Sequence, residues 1–166
     1  HIFRATGVLS YHSLTLHWTW GIYSPIPKKT ISMAIETTLI LFKTDCIEKS
    51  LVGEVLRRYE AEGFKIRGIK MMQLSSGLLQ EHYAHIADEP FFPEIANFMQ
   101  ASPIIAMALS GENAIARIRE LLGPTDSTKA EKGTIRGDFG VDMMTNICHA
   151  SYSPENAAAE VKRFFS

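Results

Sequence analysis

At 166 residues, 46 % apolar and 21 % charged, the chain has the profile of a globular protein, not of a disordered tail or a collagen-like fibre. It contains no run of about 18 apolar residues, which excludes a hydrophobic spanning helix. Two cysteines are too few for a disulfide framework and point to a reducing, cytoplasmic setting. The net charge of −1 is unevenly spread: residues 1–32 carry Arg4, Lys28 and Lys29 and no acid, while residues 33–166 carry 14 basic and 18 acidic groups.

Residues 1–32 hold Trp18, Trp20 and three histidines, with neither helical nor strand periodicity. They read as an N-terminal extension, disordered or lying upstream of a true start at Met33; a transit peptide or a packed extension are the alternatives. Residues 33–166 form the expected domain, long enough to bury its own core.

Thr37–Phe42 is β-branched and apolar and predicts a buried strand closed by Lys43. Ser50 is placed to cap a helix running to about Glu62, with Gly63 as its C-terminal stop. Phe64–Gln73 alternates apolar and basic residues and predicts a half-exposed strand. A helix is expected from Ser75 or Ser76 to about His85. A second follows from Glu94 to Ala101, with Pro93 in its first turn. Ile104–Leu109 predicts another strand, and Asn113 a capped helix ending at Leu122 before Gly123-Pro124. Residues 124–146 read as one long polar loop, a length usually functional or disordered. Cys148–Ser151 predicts a short strand, and Ser153-Pro154 the start of a last helix.

This order predicts an α+β fold of ferredoxin-like βαββαβ type: a four-stranded antiparallel sheet with helices packed on one face. The net −4 of residues 33–166, without a basic stripe, argues against nucleic-acid binding. No Walker-type phosphate loop, CxxC pair or HExxH motif occurs. His82 and His85 stand at i, i+3 and read as helix surface, not as a metal site.

The chemistry concentrates near the C-terminus. Helical spacing puts Glu160 on the inward face with Ala157, Val161 and Phe164. An inward carboxylate needs a partner, and His149 is a candidate. A carboxylate on one ring nitrogen would fix the tautomer and leave the other nitrogen nucleophilic. The alternative is a histidine at the core edge with both nitrogens satisfied. Lys43, Arg117, Arg119 and Arg136 are either solvated surface charges or, converging on His149, a phosphate-binding set.

Leu51-Val52-Gly53-Glu54, Glu81-His82-Tyr83, Pro90-Phe91-Phe92, Gly133-Thr134-Ile135-Arg136-Gly137-Asp138-Phe139 and the stretch from Asn146 to Ser153 resemble the nucleoside diphosphate kinase family. The resemblance runs from Glu36 to Phe165. It implies ping-pong transfer of the γ-phosphate of ATP to nucleoside diphosphates through a phosphohistidine on His149. Glu160 would orient the ring and Ser151 would lie close to it. Lys43, Tyr83 and Asn146 would surround the transferred phosphate and the ribose, Arg119, Thr125 and Arg136 would hold the distal phosphates, and Phe91 would stack on the base. Mg²⁺ would arrive with the nucleotide, and the protein would be a homo-oligomer, hexamer or tetramer. Four departures stand out: Thr44 replaces a proline and is expected to loosen Lys43; Asp126-Ser127 replaces Asn-Pro and is expected to soften its loop; Tyr152 replaces a carboxylate; and the chain stops at Ser166, several residues early. Tyr152 is the basis of the alternative, a non-catalytic nucleotide-binding or scaffold member of the family.

Overall fold

The computed structural model describes residues 34–166, so the expectations for residues 1–32 and for a start at Met33 lie outside the described residues. Strand β1 (Ile35–Phe42) is the spine. It is followed by α1 (Thr44–Glu48), α2 (Val52–Ala61), β2 (Lys65–Met72), α3 (Ser76–His82), α4 (Phe92–Gln100), β3 (Ile104–Glu112), α5 (Ala114–Leu122), a 3₁₀ turn over Ser127–Lys129, α6 (Ile135–Phe139), β4 (Cys148–Ala150) and α7 (Pro154–Phe165). The sheet order is β2-β3-β1-β4, with every pairing antiparallel. That is the ferredoxin-like arrangement, with α2 and α5 as its two crossover helices.

Successive side chains of a strand point to opposite faces, and in β1 both faces are buried. Ile40 and Phe42 join Met107 and Leu109 of β3 under Val55, Tyr59, Ile118 and Leu122 of α2 and α5. Leu39 and Leu41 join Ile104 and Ala106 against Leu79, Phe92, Met99 and Phe164. Helices therefore cover both faces, which corrects the expectation of one. The continuous apolar run Leu39–Phe42 carries the reason: a half-solvated strand would alternate, and this one does not.

Two expected caps are supplied differently. Asn113 adopts φ 50° and gives no side-chain cap. The Glu36 carboxylate of β1 accepts from the Ile115 backbone N–H at 2.9 Å instead, placing a negative charge at the helix N-terminus. Ser50 likewise has φ 56° and lies outside α2, whose N-cap is Leu51. By contrast, Ser75, Thr134 and Ser153 each accept a backbone N–H at the start of α3, α6 and α7.

The expected long loop 124–146 holds two short ordered turns. Asp126 Oδ1 accepts from the Thr128 backbone N–H at 3.1 Å and from its hydroxyl at 2.7 Å, so the segment expected to be soft is fastened. Helix α6 packs so closely that a Cβ on Gly137 would stand 1.9 Å from the Glu131 carbonyl oxygen. Backbone cannot yield there as a flexible side chain can. Gly137→Ala is expected to cost about 3 kcal/mol or more, at or above the upper end of overpacking penalties. Urea denaturation of the variant beside the wild type measures this; an unchanged midpoint would refute it.

Candidate active site

Strands β1 and β4 run side by side, Leu41 opposite His149 and Phe42 opposite Cys148, so the residue that closes β1 lies beside the one that enters β4. The Lys43 N–H donates to the Ile147 carbonyl at 3.0 Å. Its ammonium is buried, donates to the Met144 carbonyl and to Asn146 Oδ1 at 2.9 Å, and lies 5.0 Å from the Phe98 ring centroid. Burial, outweighing the attraction of Asp45, lowers its pKa to about 8. Thr44, expected to loosen this lysine, is itself buried, and its hydroxyl donates to the Phe98 carbonyl at 3.3 Å. It is the first residue of α1, where a proline would also fit.

Ile147 precedes β4 with φ 73°, an outlier for a β-branched residue. The buried Asp45 carboxylate accepts its N–H at 2.9 Å and helps hold that bend. The guanidinium of Arg136 works on the same segment: it donates to the carbonyls of Asn146 (3.2 Å), Gly123 (3.0 Å) and Cys148 (2.7 Å). Three of its five N–H groups are thus spent on backbone, leaving two for a ligand. Asn146 donates through Nδ2 to the carbonyls of Thr125 (3.0 Å) and Met143 (2.7 Å).

His149 Nε2 lies 3.2 Å from both oxygens of Glu160, whose side chain α7 turns inward. Glu160 Oε2 also accepts the Ser151 hydroxyl at 2.6 Å, and Ser151 Oγ accepts the Leu39 N–H at 3.2 Å. Ser151 therefore reaches His149 through Glu160 and not by direct contact. Burial raises the Glu160 pKa, but the hydrogen bonds from His149 and Ser151 and the charge of His149 outweigh it, holding the carboxyl below its usual value. No described residue hydrogen-bonds His149 Nδ1, and the ring faces a cleft of about 750 Å³.

That cleft is lined by Lys43, Tyr83, Phe91, Arg119, Thr125, Arg136, Asn146, His149 and Tyr152. Every residue expected to bind nucleotide is on its wall, with His149 among them and Glu160 and Ser151 behind. Phe91 is 50 % exposed, so one ring face is free for a flat partner. Arg119 and Thr125 are exposed, whereas Arg136 and Asn146 are buried. Burial pushes the Tyr83 phenol up to about 12. Arg117 is elsewhere, paired with Glu62 at 3.0 Å, and drops out of the set.

His82 was read as helix surface, and this is corrected. Its side chain is buried, its ring stands edge-on to His149 at 4.7 Å between centroids, and neither ring nitrogen has a partner among the described residues. Burial, reinforced by His149, lowers its pKa to about 3. The signal was present: His82 follows Leu79 at i, i+3 on the face that α3 buries. His85 is exposed, as expected.

An imidazole oriented by a buried carboxylate, facing a cleft ringed by lysine and arginines on a ferredoxin-like sheet, defines an anion site of the histidine-centred kind that phosphoryl transfer uses. A family model described as nucleoside diphosphate kinase matches residues 36–166. The nucleoside diphosphate kinase of Rubrobacter xylanophilus is 46 % identical over 131 residues, covering 79 % of this chain and 98 % of that protein. That of Microcystis aeruginosa is 43 % identical over 132 residues, covering 80 % and 89 %. Among solved structures, Aquifex aeolicus nucleoside diphosphate kinase superposes with a TM-score of 0.77 at 43 % identity, over 80 % of this chain and 96 % of that one. The Halobacterium salinarum enzyme, in complex with CDP, gives 0.77 at 36 % identity, over 80 % and 89 %. The chain belongs to the nucleoside diphosphate kinase family.

Proposed function

We propose that the protein transfers the γ-phosphate of ATP to nucleoside diphosphates by a ping-pong route through a phosphohistidine at His149 Nδ1. One observation carries the assignment: Glu160 takes His149 Nε2, which leaves Nδ1 as the nitrogen without a partner among the described residues on a ring that lines the cleft. A neutral imidazole with its proton on Nε2 has a lone pair on Nδ1. That lone pair attacks the γ-phosphorus, the bond to the bridging oxygen breaks, and ADP leaves. The imidazolium charge created on the ring is balanced by Glu160. The acceptor diphosphate then reverses the step. Lys43, Arg119 and the free N–H groups of Arg136 neutralise the phosphate charge, Asn146 and Thr125 position it, Tyr83 borders it, and Phe91 stacks on the base. A π-face is common to all bases, so broad base tolerance is expected.

Mg²⁺ is part of the substrate, bridging the phosphates of the incoming nucleotide. Among the residues lining the cleft the charged groups are Lys43, Arg119 and Arg136, with Glu94 the one carboxylate, which suits a metal carried in and out with the nucleotide. Tyr152 stands at that wall 62 % exposed and leaves the His149 side chain 23 % exposed, which favours catalysis over the non-catalytic alternative. The CDP in the Halobacterium salinarum structure supports a nucleoside diphosphate as acceptor. A homo-oligomer is supported by β2, an edge strand that exposes Ile66, Ile69 and Met71. The cytoplasmic assignment rests on two free thiols, both buried.

Incubation with γ-labelled ATP·Mg, followed by removal of nucleotide, tests the function. An acid-labile, base-stable phosphoprotein that passes its label to added CDP is the expected result; an unlabelled protein overturns it.

Lys43 gives the reaction a pH dependence. With its pKa lowered to about 8, the ammonium is charged below that value and neutral above it in the free protein. A polyanion binds the charged form better, so nucleotide affinity is expected to be highest below about pH 8 and to fall as pH rises through it. Calorimetric ADP affinities at pH 7 and pH 9 check the sign, and Lys43→Gln should abolish the difference.

A further inference from the structure

We propose that His82, His149 and Glu160 form a site for a borderline divalent transition-metal ion, with Zn²⁺ as its probe, and that this ion disables the nucleophile. One ligand atom from each residue lies within 4.8 Å of the other two. Glu160 Oε1 is common to two edges of the triangle, lying 3.8 Å from His82 Nδ1 and 3.2 Å from His149 Nε2. Bonds of about 2.0–2.2 Å to zinc put tetrahedral neighbours about 3.3 Å apart. The shorter edge of the triangle already fits. The longer ones close by rotation of the His82 ring, which no hydrogen bond holds among the described residues.

His82 is the residue that makes this a site. It is 6 % exposed, aimed at Glu160, and has no polar partner for either nitrogen, so a lone pair is available at whichever nitrogen faces the metal. Two imidazoles and one carboxylate suit zinc and its neighbours, with a fourth position open for water. Mg²⁺ demands oxygen ligands in octahedral geometry, so the ion that travels with the nucleotide does not compete here.

The effect on catalysis is a matter of tautomers. In the resting site the proton sits on His149 Nε2 and the lone pair on Nδ1. A metal on Nε2 takes the lone pair of that nitrogen, so the proton of the neutral ring must sit on Nδ1, and nothing remains to attack phosphorus. Zinc thus blocks phosphoenzyme formation without occupying the phosphate subsite. The binding stands on geometry alone; the block rests on the reading of His149 Nδ1 as nucleophile.

The test is Zn²⁺ titration of the full chain, free of nucleotide, by calorimetry and by ¹⁵N spectra of the histidine rings. One equivalent is expected to shift the ring nitrogens of His82 and His149 and to leave those of His85 in place. His82→Phe is expected to weaken that equivalent about tenfold or more, since even outer-shell partners of a bound metal are worth ~10–100-fold. Binding that survives in the variant belongs elsewhere, including His1, His12 and His17. Labelling by γ-labelled ATP·Mg should fall with the same Zn²⁺ midpoint as the titration. Ring nitrogens of His82 unmoved by zinc, or equal affinity in wild type and His82→Phe, overturn the site; the spectra decide even if the variant fails to fold. Occupancy of the site with undiminished labelling overturns the block alone. A protein that binds zinc as described but never labels overturns the proposed function and leaves the site standing.

Discussion

His149→Ala is expected to lower phosphoryl transfer from ATP to a nucleoside diphosphate by ~10⁴-fold or more, the scale on which loss of a covalent nucleophile acts. Nucleotide binding should stay near wild type, because the residues proposed to hold the phosphate, Lys43, Arg119, Arg136 and Asn146, remain on the same wall. The variant should fold. Glu160 keeps the hydroxyl of Ser151 at 2.6 Å, and the strand pairing of β4 with β1 is made by backbone. Quenched-flow labelling beside calorimetric ADP affinity separates the two quantities. A variant that still transfers label within a factor of ten of wild type would place the nucleophile elsewhere.

Glu160→Gln carries the second large effect, and its cause is different. The carboxylate only accepts hydrogen bonds, so it selects the tautomer with the proton on Nε2. A glutamine of the same shape has one accepting and one donating end. Ser151 Oγ accepts from Leu39 and donates to the residue at 160, which keeps the amide oxygen on the Ser151 side. The amide NH₂ then replaces one of the two oxygens that stand 3.2 Å from His149 Nε2 and calls for a lone pair there, shifting the ring proton toward Nδ1. A comparable carboxylate-to-amide change behind a catalytic histidine costs about 10⁴ in kcat; a loss of ~10²–10⁴ is expected here. KM should move little, since Glu160 is absent from the cleft wall. A loss in KM with kcat preserved would show that Glu160 acts through nucleotide binding instead.

Much of this site was legible one residue at a time. Helical spacing turned Glu160 inward and made His149 a candidate partner for it. The position of Lys43 at the end of an apolar strand marked it as unusual. Arg119 stood among cations open between solvated surface charge and a phosphate-binding set, and the roles expected of Thr125 and Phe91 came only with the family resemblance, because an exposed threonine or phenylalanine carries no signal of its own. The short elements α1 and α6 went unread: five residues are little more than one helical turn, too few for a hydrophobic period to repeat. Asp45 and Arg136 hide their larger structural task for a related reason. Each ties down the backbone around Ile147, and a bend at that residue cannot be inferred from its type.

The sequence by itself determined the order of the strands and of the longer helices, the buried spine at Leu39–Phe42 and the family, because these depend on periodicity and on local residue patterns. Tertiary structure alone decided that both faces of β1 are covered and that Glu36 caps a helix 79 residues away. It also set the Glu160 carboxylate 3.2 Å from His149 Nε2 and buried His82 against the same ring. Each of these depends on which groups meet across the sheet, and contact between residues distant in the chain is a property of packing, not of any one segment.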